Sequence, residues 1–205
     1  MGFDTARPSC YNPLVLDRRK GKVFVVSGPS GAGKDTVLAE VIAETDGVKR
    51  CVTATTRPLR GEEKNGIDYT FVSDEEFDRM IRDDELLEWA QVHRHRYGTP
   101  KAQVERLRDE GTDVVLKIDV QGAEQVRAKL PDAISIFIMP PSEEELERRL
   151  RSRKTDSEVD LQKRIADSKK EMARASEYDY VVINDDLKKC VEEVRRIIEN
   201  ERAPI

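Results

Sequence analysis

The sequence predicts an α/β fold in which a parallel β-sheet is flanked by helices, with a small mixed sheet inserted into it and a charge-dense helical segment added. Three observations carry this. Short apolar runs rich in β-branched residues stand at Val23 to Ser27, Asp113 to Ile118, Ile134 to Met139 and Tyr180 to Ile183, each followed by a helix-like stretch, which is the βαβ rhythm of a parallel sheet. From Cys51 to about Gly98 the rhythm gives way to short strand-like pieces and turn residues such as Asn65-Gly66. From Glu143 to Arg164 seven basic and seven acidic residues alternate with few apolar anchors, and a segment that buries little is free to open and close.

Taken in order, residues 1–20 form a short tail that holds six charged residues and no apolar h-region, so they do not read as a signal peptide. The core comprises 21–52, 100–142 and 165–205, interrupted by the inserted sheet at 53–99 and the charged segment at 143–164. After the first strand a helix starts near Lys34, with Val37, Leu38, Val41 and Ile42 on one face. The last helix turns Leu187, Val191, Val194 and Ile198 inward. Ser73 with Glu76, and Ser142 with Glu145 directly after Pro140-Pro141, read as capping boxes that begin two further helices. The length of 205 residues suits one compact domain with such additions.

Composition removes several functions. Charged residues make up 38% of the chain, against about 25% in an ordinary protein, yet the net charge is −5. Trp89 is the only tryptophan and there is no basic stripe, so polymeric nucleic acid is not expected as a partner. The longest apolar runs fall far short of the roughly 20 residues of a membrane span. Cys10, Cys51 and Cys190 show neither metal-ligand spacing nor a disulfide framework. These features together point to a reducing, cytoplasmic setting, with monomer or homodimer left open.

The strongest chemical signal is Gly28-Pro29-Ser30-Gly31-Ala32-Gly33-Lys34-Asp35-Thr36, placed between a strand and a helix. It is the pattern of a phosphate-binding loop in the context that gives it meaning, and so of a P-loop NTPase-type core. Glycines let backbone N–H groups turn toward phosphate oxygens, the helix N-terminus adds partial positive charge, and Lys34 neutralises the β- and γ-phosphates. Asp35 stands where Ser or Thr normally meets Mg²⁺. Its carboxylate would hold the ion directly or through water, or Thr36 would take part.

Downstream, Arg57 and Arg60 lie three residues apart, with Tyr69 nine further on. Guanidinium forks match phosphate oxygens in pairs and a phenol adds a neutral donor, so the three can converge on one phosphate. In isolation such a pair would be an ordinary charged loop; the phosphate loop upstream favours the binding reading.

With these motifs in place the chain resembles the guanylate kinase family, from about Gly21 to Asn200. The resemblance adds Thr55-Thr56-Arg57, Arg60, Glu63, Gly66, Asp68-Tyr69, Leu87-Glu88-Trp89-Ala90, Tyr97-Gly98-Thr99, Ile118-Asp119-Val120-Gln121-Gly122, Pro140-Pro141-Ser142, Arg149-Leu150, Arg153, Arg164 and Asn184-Asp185. The chain departs from the family at Asp35, around Pro58-Leu59 and Gly61-Glu62, and at Lys117, where an acidic residue is common. The resemblance implies transfer of the γ-phosphoryl group of ATP to GMP with Mg²⁺. ATP would lie on residues 28–36, with Arg149 beside its phosphates and Asn184 and Asp185 bordering the adenine. Arg57, Arg60, Tyr69 and Tyr97, with Glu63 among them, would hold the GMP phosphate, and Thr53, Glu88 and Thr99 would read the guanine.

By the same resemblance Lys34, Arg60, Arg153 and Arg164 carry catalysis, the last two closing as a lid and Arg60 bridging the donor and acceptor phosphates. Asp119 would contact Mg²⁺-bound water or the guanine pocket, or simply cap the next helix. A monoester phosphate is already largely a dianion at neutral pH, so no general base is needed, and His93 and His95 read as surface residues. Two other functions remain in view: a kinase for a sugar bisphosphate or another small acceptor, and a non-catalytic protein-binding module. The guanine set argues against the first and the intact Gly33-Lys34 against the second.

Overall fold

In the computed structural model, residues 19–92, 94–152 and 158–202 are described. Arg153 of the expected lid, His93, Cys10 and nearly all of the expected tail lie outside them. The elements run β1 (Val23–Ser27), α1 (Lys34–Glu44), β2 (Val48–Arg50), β3 (Ala54–Thr55), β4 (Thr70–Phe71), α2 (Asp74–Arg82), β5 (Leu86–Val92), β6 (His95–Pro100), α3 (Lys101–Asp109), β7 (Asp113–Lys117), α4 (Val120–Lys129), β8 (Ile134–Met139), α5 (Glu143–Ser152), α6 (Glu158–Met172), β9 (Tyr180–Ile183) and α7 (Leu187–Arg202).

The main sheet has the order β2-β7-β1-β8-β9 and every pairing in it is parallel. Its central strand β1 is apolar along Val23 to Val26 because helices cover both faces, so that neither side needs polar residues. Phe24 and Val26 join one core with Val37, Leu38 and Val41 of α1 and Val191, Val194 and Ile198 of α7. Val23 and Val25 join another with Val104 and Leu107 of α3 and Ala123 and Val126 of α4. Edge strand β2 was not legible in the sequence, since of its three residues only Val48 is buried.

The insertion is a four-stranded sheet of order β4-β3-β6-β5, with β3 and β4 parallel and the other pairs antiparallel, so it is mixed as expected. Phe77 and Met80 of α2 pack with Ala54 and Leu86 to give it a core of its own. Ser73 Oγ accepts the Glu76 N–H and Ser142 Oγ accepts the Glu145 N–H, so both predicted caps form. The glutamates of the two motifs bind arginines: Glu76 pairs with Arg79, and Glu145 with Arg148 and Arg149.

The charged segment differs from its reading. Its described residues form two helices, α5 and α6, and the expected boundary at 164 falls inside α6. Leu146 and Leu150 of α5 and Leu161 and Ile165 of α6 form a buried cluster. Four apolar residues at helical spacing are enough to pair two short helices while the remaining faces stay charged.

Both ends of the described chain are fastened to one buried carboxylate. Asp113 accepts two hydrogen bonds from Arg19 at 2.8 and 2.9 Å and one from the Lys22 N–H at 2.7 Å, and it also pairs with Arg202 of α7. Burial opposes its charge, but Arg19 and Arg202 hold its carboxyl below the usual range. Its contribution is therefore present at neutral pH and lost as pH falls from about 4. Asp113→Ala is expected to cost about 2 kcal/mol in urea denaturation at pH 7, below the range for fully buried pairs because the arginines can regain water, and the deficit should shrink on acidification.

Candidate active site

The phosphate loop follows β1 and opens α1, at the carboxyl end of a central parallel strand where α/β folds form a crevice. Gly33 has φ +91°, and its left-handed backbone lets the chain turn into α1. Lys34 Nζ donates to the carbonyls of Gly28 and Pro29 at 2.6 and 2.9 Å, which folds the ammonium back over the loop. Gly31, with φ +90°, faces Leu146 and Leu150, so helix α5 packs directly on the loop.

The loop forms one wall of a cleft of about 880 Å³. The inserted sheet supplies the opposite wall and α6 the rim. Of the residues singled out in the sequence, Gly28, Ser30, Lys34, Thr53, Arg60, Tyr69, Glu88, Tyr97, Asp119 and Arg164 all line it. Arg164 Nη2 donates to Ser30 Oγ at 2.7 Å, so the charged segment already touches the loop.

Glu88 is the chemically most distinctive group. It is 3% exposed, and its Oε1 accepts the Thr99 hydroxyl at 2.6 Å. Desolvation pushes its carboxyl up to about 7, the Thr99 hydrogen bond opposes the shift, and Asp119 reinforces it. Thr99 is itself 1% exposed, so it orients Glu88 from behind. A Cβ at Gly122 would overlap Glu88 Oε2. Gly122→Ala should therefore displace Glu88 and raise KM for a base that it reads by about tenfold or more, with kcat changed less, which steady-state kinetics would check.

Other expected ligands are themselves held by neighbouring residues. Arg57 is 5% exposed, its guanidinium bonded to Glu63 at 2.7 and 2.9 Å and lying 5.1 Å from the Tyr69 ring centroid. Glu63 also accepts the Arg60 N–H at 2.9 Å, so one carboxylate fixes both arginines of the motif. Asn184 is buried and donates to the Ala32 carbonyl at 2.8 Å, while Arg149 donates to the Asn184 carbonyl at 2.9 Å. Both therefore brace the phosphate loop from below, and only Asp185 of that pair is exposed. Asp119 caps α4, its Oδ1 accepting the Gly122 N–H at 2.8 Å, and it faces the cleft as well.

Two residues of the site carried no signal of function in the sequence. Glu171 near the end of α6 lines the cleft; burial raises its carboxyl, and Lys34 and the Ser30 N–H oppose that shift. His95, expected at the surface, is half-buried on β6 and also lines the cleft. Lys117, whose role the sequence left in doubt, pairs with Asp35. Desolvation opposes ionisation of Asp35, but Lys117, Lys34 and Arg50 hold its carboxyl below the usual range. Burial pushes the Cys51 and Cys190 thiols up to about 12, so neither is a nucleophile.

Comparison with known proteins agrees with this arrangement. A family model described as guanylate kinase matches residues 20–201. A guanylate kinase of Zymomonas mobilis is 49% identical over 185 residues, covering 90% of this chain and 86% of the relative. One from Caldanaerobacter subterraneus is 47% identical over 188 residues, covering 92% and 91%. The crystal structure of guanylate kinase from Anaplasma phagocytophilum superposes with a TM-score of 0.74 at 33% identity, covering 91% of this chain and 88% of that one. With phosphate loop, buried carboxylate and arginine motif meeting in one cleft, and with this extent of similarity, the chain belongs to the guanylate kinase family.

Proposed function

We propose that the chain transfers the γ-phosphoryl group of ATP to GMP, giving ADP and GDP, with ATP on the phosphate loop and GMP against the inserted sheet. The observation that carries this is the buried Glu88, which faces the same cleft as Lys34, Arg60 and Tyr69. Guanine presents an N1–H and an N2 amino group that one carboxylate accepts together; adenine offers no such pair and would leave Glu88 buried and unpaired. Thr53 sits on the same wall and Thr99 holds Glu88 in place. The acceptor phosphate meets Arg60, Tyr69 and Tyr97, while Arg57, gripped by Glu63, reaches it from behind the aromatic rings.

Catalysis here consists of alignment and charge neutralisation. Lys34 and Arg60 face the transferring group, and Arg164 closes over it from α6. Among the described residues no cluster of three or more His, Cys, Asp or Glu could cage a metal. Nucleotide-bound Mg²⁺ needs only one or two protein carboxylates, and the exposed Asp35, with Thr36 beside it, suits that part. Mg²⁺ held there adds charge neutralisation on the donor phosphates.

The test is an ADP-release assay with GMP, AMP and a ribose bisphosphate as acceptors. Turnover with GMP well above the others is expected. Turnover with the bisphosphate and none with GMP would overturn the reading.

A further inference from the structure

Lys117 ends β7 at its carboxyl end, in register with Val26 of β1. Its ammonium pairs with Asp35 in the first turn of α1 and lies 5.9 Å from the centroid of the Tyr69 ring. It thus bridges the donor side, where Asp35 stands, and the inserted sheet that supplies Tyr69. Within the pair the cation is the more enclosed partner, with its side chain 18% exposed against 75% for Asp35. Lys117 also lines the cleft with Arg60, Tyr69 and Tyr97.

An exposed carboxylate is a weak anchor for an ammonium, because water competes for the carboxylate. A phosphate monoester brings nearly two negative charges and three acceptor oxygens. The lysine stem has four rotatable carbons, so its head can turn from one anion to another without moving the strand. Tyr69, over which the ammonium already rests, stands on the wall assigned above to the acceptor.

We propose that Lys117 is a further binding residue for the GMP phosphate, held by Asp35 before GMP arrives and turned to the phosphate beside Tyr69 when it binds. The proposal rests on the reading of this wall as the acceptor site. It makes Asp35 a competitor of the acceptor phosphate, and it makes removal of that carboxylate a gain for GMP.

The experiment is calorimetric titration of the full chain with GMP, guanosine or ATP, without metal, for wild type, Lys117→Ala, Asp35→Asn, the double variant and Tyr69→Phe. Lys117→Ala should weaken GMP binding roughly 10- to 100-fold, as loss of a charge-assisted hydrogen bond does, and leave guanosine binding unchanged. Asp35→Asn should tighten GMP several-fold, and the gain should vanish in the double variant. Unchanged GMP affinity in Lys117→Ala while Tyr69→Phe weakens it would overturn the assignment of Lys117 alone. Equal loss of guanosine, or loss of ATP instead of GMP, would also overturn it. If neither Lys117→Ala nor Tyr69→Phe affects GMP, the acceptor-site reading itself fails.

Discussion

Lys34→Ala will leave a folded protein whose kcat is lower by roughly two to four orders of magnitude, about 3–5 kcal/mol of transition-state stabilisation. The expectation comes from where the ammonium is held. Two loop carbonyls, those of Gly28 and Pro29, fix it over the turn, so the positive charge is in place before the nucleotide arrives and costs little reorganisation during reaction. Charge spreads over the equatorial oxygens of the phosphoryl group in flight, and a fixed cation there acts more strongly on the transition state than on bound ATP. The loss should therefore appear mostly in kcat. Lys34→Arg should recover little, because a planar guanidinium cannot occupy a place set by two carbonyls for a compact ammonium. Single-turnover kinetics, with circular dichroism to verify folding, decides the matter. A variant within tenfold of wild type would show that this lysine is only a structural clasp of the loop.

Much of this architecture was legible in the chain, and what was hidden has identifiable causes. The core strands announced themselves because both faces of the sheet are covered, which makes Val23 to Val26 an unbroken apolar run and leaves Ile134 to Met139 interrupted only by Ser135. The phosphate loop was legible because glycine and lysine spacing there is dictated by a backbone that must curl around an anion. Strand β2 was hidden because a three-residue edge strand is defined by its partner β7 and not by its own pattern. The pairing of α5 with α6 was masked by the charges around Leu146, Leu150, Leu161 and Ile165. Glu171 and the Asp35–Lys117 pair belong to a third kind. Asp35 and Lys117 lie 82 residues apart, and only the parallel crossover brings a strand end beside a helix start. Sequence reading registered each as an oddity and could not register that they answer one another. Motif spacing singled out Arg57, Glu63 and Asn184 but not the contacts that hold them: Glu63 accepts from Arg57, and Asn184 donates to the Ala32 carbonyl.

Glu88→Gln will separate what this carboxylate does for the fold from what it does for the substrate. The carboxyl is pushed up to about 7 because burial penalises its charged form. A folded-state value raised above the unfolded one means that stability is fullest below about pH 4.5 and declines as pH rises toward 7. The ionised group then costs the ligand-free protein roughly 3 kcal/mol, as the size of the shift implies. The amide keeps an acceptor for the Thr99 hydroxyl and carries no charge. The variant should therefore be more stable than wild type at pH 8 and similar at pH 5, with a thermal midpoint several degrees higher at the alkaline end. Substrate binding should move the other way. Guanine needs the ionised form, so wild-type GMP affinity falls about tenfold per pH unit below 7, and more steeply below 6 as the phosphate itself takes a proton. Calorimetry of GMP binding at pH 6 in buffers of different ionisation enthalpy should detect about one more proton released by wild type than by the variant, the phosphate contributing equally to both. An amide places an N–H donor against a guanine donor, so preference for GMP over AMP should drop by about 2–4 kcal/mol, roughly 30- to 1000-fold. Loss of stability at every pH, with selectivity intact, would mean that Glu88 serves the inserted sheet and that the base is read elsewhere. Gain at alkaline pH together with lost selectivity is the pattern of a group kept strained in the empty cleft and relieved by its substrate.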